Sequence, residues 1–160
     1  MKKTIIANYG DPNVGKTTSI NLVYHKLHQI ISDANCRDLH SPEDNNGDIC
    51  AILTINGVKV GISSVGDNIP EHTEWLEELK KEECDIILAA CQYSEKEPSV
   101  KTIESFQPEY RILWTENARL YQYIDQYTNI APKALSSRFN EYWATEIANL
   151  IESWCYAGNE

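Results

Sequence analysis

The run Gly10-Asp11-Pro12-Asn13-Val14-Gly15-Lys16-Thr17 sets two glycines with four residues between them, then follows the second with a lysine and a hydroxyl. This combination suits phosphate chemistry. Glycine admits backbone conformations that a β-carbon obstructs, so successive N–H groups can turn inward onto phosphate oxygens. Lys16 is the cation expected at the β- and γ-phosphates. The Thr17 hydroxyl is the expected ligand of a Mg²⁺ ion that also bridges those phosphates. Thr18 is expected beside the α-phosphate, and the backbone at Asn13 and Val14 completes the cradle. A helix beginning near Lys16 would add its positive N-terminal dipole at the same place.

Such a loop works only between a strand and a helix. Thr4-Ile5-Ile6-Ala7-Asn8-Tyr9 before it is β-prone and apolar, and Thr18 to Ile31 after it carries apolar residues at helical spacing. The expected apolar face of that helix holds Ile20, Val23, Tyr24, Leu27, Ile30 and Ile31. Ser32 to Asp48 is polar and reads as a long loop beside the phosphates. Ile49 to Ile55 and Val58 to Ser63 read as strands joined by an Asn56-Gly57 hairpin turn, so they are expected as antiparallel neighbours. Further expected elements are a helix over Pro70–Glu83, a buried strand over Asp85–Ala90, a short helix over Pro98–Phe106 and a strand over Tyr110–Thr115. Glu116 to Tyr127 is expected to be helical. A last helix, capped by Ser136 or Ser137, carries the stripe Phe139, Tyr142, Trp143, Ile147, Leu150, Ile151 and Trp154.

Strands alternating with helices, plus one hairpin, predict an α/β three-layer sandwich with a mainly parallel sheet. The 160 residues suit a single nucleotide-binding domain. Ligands of such sheets lie at the carboxyl ends of the strands. The loops expected there are Gly10–Gly15, Ser64–Ile69, Cys91–Pro98 and Thr115–Arg119.

A phosphate loop also needs an acid, to hold Mg²⁺ through water or to orient an attacking water, and it is expected at the end of a neighbouring buried strand. Asp67, just past the strand ending at Ser63, is the candidate for metal and catalytic work. Ser63 and Ser64 could add a hydroxyl. Asp85 stands at the beginning of a strand and is expected on the wrong edge of the sheet; Asp11 receives no chemistry. Arg37 and Arg119 are the candidates for a cation near the γ-phosphate. Cys91 ends a strand on the ligand side, where packing and substrate contact are both open to it. His25 and His28 share a helix face, without the partner spacing of a zinc site.

The formal net charge of −10 argues against a general nucleic-acid or anionic-membrane surface. No apolar run reaches the length of a membrane span, and the short apolar stretch after Met1-Lys2-Lys3 is not expected to be a secretory leader. The five cysteines form no C-x-x-C pair, which suits a reduced, cytoplasmic protein. A protein partner or homo-oligomer is left open.

Gly10 to Thr18 resembles the first motif of P-loop NTPases, and Pro12-Asn13-Val14-Gly15-Lys16 resembles that of bacterial ribosome-assembly GTPases. The hairpin is similar to the Ras-like arrangement. The resemblance implies nucleotide and Mg²⁺ roles for Lys16, Thr17 and Thr18. Elsewhere the chain departs from the GTPase pattern. Ser63-Ser64-Val65-Gly66 stands where Asp-x-x-Gly is expected, and Thr115-Glu116-Asn117-Ala118 does not match a guanine reader. Residues 32–48 hold no switch threonine, and the extra early lysine of partition ATPases is missing at Asp11-Pro12. ATP is therefore expected over GTP. The leading expectation is a small ATP-hydrolysing switch or assembly component. One alternative is a small-molecule or nucleotide kinase, its acceptor lying between residues 32–48, 67–72 and 91–98. Another is a GTPase-like or non-catalytic nucleotide-binding module.

Overall fold

The computed structural model describes residues 2–10, 15–92, 98–116 and 132–157. Asp11, Asn13, Val14, Arg119 and all but the first residue of the helix expected over Glu116–Tyr127 lie outside them. The described residues form six strands and four α-helices. In chain order these are β1 (Thr4–Gly10), α1 (Lys16–His28), β2 (Cys36–His40), β3 (Cys50–Ile55), β4 (Val58–Ser63), α2 (Ile69–Lys81), β5 (Ile86–Gln92), α3 (Pro98–Glu104), β6 (Arg111–Glu116) and α4 (Pro132–Ala157).

One sheet runs in the order β2-β3-β4-β5-β1-β6. β4, β5, β1 and β6 are parallel, while β3 runs against both of its neighbours. Central position explains composition. β5 has strands on both sides and helices on both faces, so Ile86 to Cys91 are all buried and the strand reads as an unbroken apolar run.

Helices cover both faces of the sheet. On one, Ile20, Val23 and Leu27 of α1 and Ala144, Ile147, Ala148 and Ile151 of α4 pack on Ile6, Ile62 and Leu88. On the other, Trp75, Leu76 and Leu79 of α2 and Val100 and Ile103 of α3 pack on Ile5, Ile52 and Ile87. Each fully buried Leu or Ile contributes about 1.5–3 kcal/mol relative to exposure. Among the described residues no helix is long and apolar enough to cross a membrane.

The β3–β4 hairpin turns as its dipeptide demands. Asn56 and Gly57 both take positive φ, at 51° and 81°, the geometry that matches the twist of paired strands. The Asn56 side chain then donates to the Cys155 carbonyl, 3.0 Å away near the end of α4.

Three expectations need correction. Residues 32–48 are not one loop, because Cys36–His40 forms edge strand β2 against β3. Its exposed Arg37 and Asp38 are what an edge strand carries to discourage further pairing, so its composition mimics a loop. α4 begins at Pro132 rather than after Ser136 or Ser137, and Phe139 and Tyr142 stay exposed. Ala144, Ala148 and Cys155 take the buried positions, where small side chains let α4 approach the core. Finally, β5 separates β4 from β1, so the strand before Asp67 is not a neighbour of the phosphate-loop strand.

Candidate functional site

At the carboxyl edge of β1, Gly10 ends the strand and Gly15 begins α1. Gly15 takes φ +89°, a left-handed conformation that a β-carbon would strain. No acidic residue stands in the first turn of α1, and its N-cap residue, Gly15, carries no side chain with which to cap it. The positive end of the α1 dipole therefore lies at Gly15, on the wall of a cleft lined by Gly15 to Thr18, a setting that favours an anion.

Lys16 is buried, and its ammonium donates to the Gly10 carbonyl at 2.8 Å. It thus bridges the two ends of the loop. In front of it opens a cleft of about 310 Å³, lined by Gly15, Lys16, Thr17 and Thr18 on one side and by Ser64, Gly66, Asp67, Ala90 and Gln92 on the other. Gly66 is tightly seated, since a β-carbon there would fall 2.9 Å from the Ala90 β-carbon.

Thr17 does not face open solvent. Its hydroxyl lies 3.1 Å from Asp48 Oδ1 and 3.4 Å from the Ser64 carbonyl. The Ser64 hydroxyl donates to the same Asp48 oxygen at 2.8 Å and accepts from the Ile49 N–H at 2.9 Å. Asp48 is therefore fixed by hydroxyls from two elements. The turn before it is closed by Gly47 N–H to the Pro42 carbonyl at 2.9 Å, and by Asn21 Nδ2 of α1 to the Gly47 carbonyl at 2.8 Å.

Asp48 is the acid that the sequence reading missed. It stands at the beginning of a strand, where parallel strands point away from the ligand. β3 runs backwards, however, and Cys50 pairs with Ser63 at the end of β4. The start of β3 thus lies at the ligand edge. The Asn56-Gly57 turn already implied that reversal and was the available signal.

Asp67 is exposed at the cleft wall, and the acid brought onto Thr17 is Asp48 instead. A second cavity of about 470 Å³ adjoins the first, because Thr17 and Asp67 line both. Its remaining wall is acidic and amide-bearing, with Asp44, Asp48, Asn68 and Glu71.

Other candidates lie elsewhere. Arg37 pairs with Glu82 beside Lys59, near the beginning of β4. β2 runs parallel to β4, so Arg37 sits at the edge opposite the phosphate loop and is withdrawn as a γ-phosphate cation. Asp85 is at that edge too, as expected, accepting from the Lys59 N–H at 3.0 Å. Ser63 is buried, and its hydroxyl has no hydrogen-bond partner among the described residues. His25 and His28 flank the Tyr24 ring.

Cys91 is buried beneath the cleft, 3.6 Å from the Ser99 hydroxyl, which in turn accepts from the Gln92 N–H at 3.1 Å. Burial pushes the Cys91 thiol up to about 11, against the smaller downward pull of Ser99 and of the Lys16 charge. His72 of α2 is also buried. A carbonyl can only accept, so His72 Nε2 carries the proton it donates to the Ala90 carbonyl at 3.0 Å. Burial holds the imidazole below its ordinary pKa, and Nδ1 has no partner among the described residues.

Among the described residues no three His, Cys, Asp or Glu side chains are grouped to cage a metal. Thr17, Asp48 and Ser64 instead form an all-oxygen set with a single carboxylate. That suits Mg²⁺, which keeps several waters and takes its other ligands from phosphates. No protein-family model, curated protein or solved structure matches the chain.

Proposed function

We propose that the chain binds a nucleoside triphosphate, ATP, together with Mg²⁺, and hydrolyses it. The observation that carries this reading is the Thr17–Asp48 contact in the first turn of α1, directly after Gly15. Thr17, which lines both cavities, joins the anion-attracting start of α1 and Ser64 in the first to Asp48 in the second. Gly15 and the first turn of α1 would hold phosphate oxygens, Lys16 would neutralise the β- and γ-phosphates, and Thr18 would approach the α-phosphate. Thr17 would ligate Mg²⁺ directly, with Asp48 and Ser64 holding its waters. Bound there, Mg²⁺ neutralises charge developing on the phosphates. Asp67, across the same cleft, would orient the attacking water.

The reading also places the protein in the cytoplasm, where thiols stay reduced. A role as switch or assembly component would require a protein partner or a second copy of the chain. A kinase is the second reading, favoured by the adjoining cavity. Its acidic wall suits a neutral polyol or a cationic hydroxyl compound as acceptor and repels an anionic one.

Phosphate release from Mg²⁺–ATP without any acceptor tests the choice. Steady release supports hydrolysis. Release or transfer only with a polyol or amino alcohol supports the kinase. Tight binding without turnover of either kind leaves a nucleotide-binding module.

A further inference from the structure

The N-terminal half of α4 reaches the phosphate loop. A β-carbon placed on Gly15 would fall 2.5 Å from Asn140 Nδ2 and 3.1 Å from Asn140 Oδ1. The carboxamide therefore lies directly against the glycine that starts α1, in the space a side chain would need. Gly15 is held to glycine by its left-handed φ, and a β-carbon there would also have to turn the Asn140 carboxamide aside. α4 is well anchored for this contact. Lys26 of α1 pairs with Glu141, the next residue, and Ala144, Ile147 and Ile151 pack into the core shared with α1.

We propose that Asn140 is a positioning residue for the bound phosphates, setting the place of Gly15 and making α4 responsive to occupancy of the loop. The inference rests on the nucleotide reading above. Its physical basis is that the carboxamide packs against Gly15, and Gly15 itself lines the cleft. A carboxamide is polar and neutral, so it adds no net charge beside the helix N-terminus. A carboxylate of the same shape would place a negative charge where the phosphates need a positive field.

The test compares wild type, Asn140→Asp and Asn140→Ser by calorimetric titration with Mg²⁺–ATP and Mg²⁺–ADP at low and high salt. Thermal melts without nucleotide serve as the folding control. Asn140→Asp should weaken both nucleotides by about tenfold, and 0.5 M salt should recover much of that loss, because screening shortens the reach of the charge. Asn140→Ser should weaken them less, with little response to salt. The serine variant carries the test alone if the aspartate variant melts at the assay temperature. A merely structural asparagine predicts wild-type affinities in every variant that folds, and that result overturns the inference. If wild type itself binds neither nucleotide, the nucleotide reading fails first and takes the inference with it.

Discussion

Asp48 Oδ1 and the Thr17 hydroxyl meet at 3.1 Å, although α1 and β3 bring them from distant parts of the chain. Two features of the fold make that contact. β3 runs against β4, which puts its first residues at the ligand edge. The Ser64 hydroxyl then pins the same carboxylate oxygen at 2.8 Å.

Asp48→Asn keeps an oxygen for both hydroxyls and removes only the charge. The variant should melt within about 2 kcal/mol of wild type, since two hydrogen bonds exchange a charged acceptor for a neutral one and none is orphaned. Its Mg²⁺ affinity in the presence of ATP should fall by about 10–100-fold, the usual cost of losing a group that holds a metal's ligands. Magnesium titration of turnover measures this. Asp67→Asn should leave ATP and Mg²⁺ affinity within about twofold, as expected for a change at an exposed side chain, and should lower turnover. Wild-type turnover in that variant would remove Asp67 from the reaction.

His72 should make stability sensitive to acid. Burial disfavours its protonated form, so its folded pKa lies below the ordinary value of about 6.5. As pH falls through that value the unfolded chain takes up a proton that the folded chain resists. The stabilisation is therefore full above it and lost on acidification. Wild type should exceed His72→Gln in Tm by more at pH 7.5 than at pH 5.5. A gap that stays constant between the two would show that His72 does not titrate on unfolding.

The thiols should be protected. Burial pushes Cys84 up to about 12 and Cys155 up to about 11, and raises Cys50 further still. Cys36 is half-exposed, with its thiol also raised by burial. Thiolate is the reactive form, so an aromatic disulfide reagent at pH 8 should label at most Cys36 in the native protein. All five cysteines should react in denaturant. Rapid labelling of two or more native thiols would contradict the described packing.

What could be read from the sequence was whatever one residue type dictates locally. Asn56-Gly57 announced its hairpin through its turn preference, and the apolar run after Asp85 announced a buried strand, read as Asp85–Ala90 and found as Ile86–Gln92. β2 escaped because an edge strand is charged for the same reason that loops are polar. Asp48 escaped because its relevance depends on strand direction, a tertiary property, and not on its neighbours. Asn140 escaped for a similar reason: nothing near it in sequence signals that α4 passes over Gly15. Phe139 and Tyr142 fit the apolar stripe by spacing alone, yet they stay exposed, and Ala144 and Ala148 join Ile147 and Ile151 at the contact.

The central claim is that the cleft before α1 grips a triphosphate through Lys16. Calorimetric titration of wild type and Lys16→Ala with Mg²⁺–ATP tests it most directly. Wild type should bind one nucleotide per chain, and Lys16→Ala should lose that heat while keeping the fold by circular dichroism. A folded Lys16→Ala variant with wild-type affinity, or a wild-type chain with none, would contradict the account.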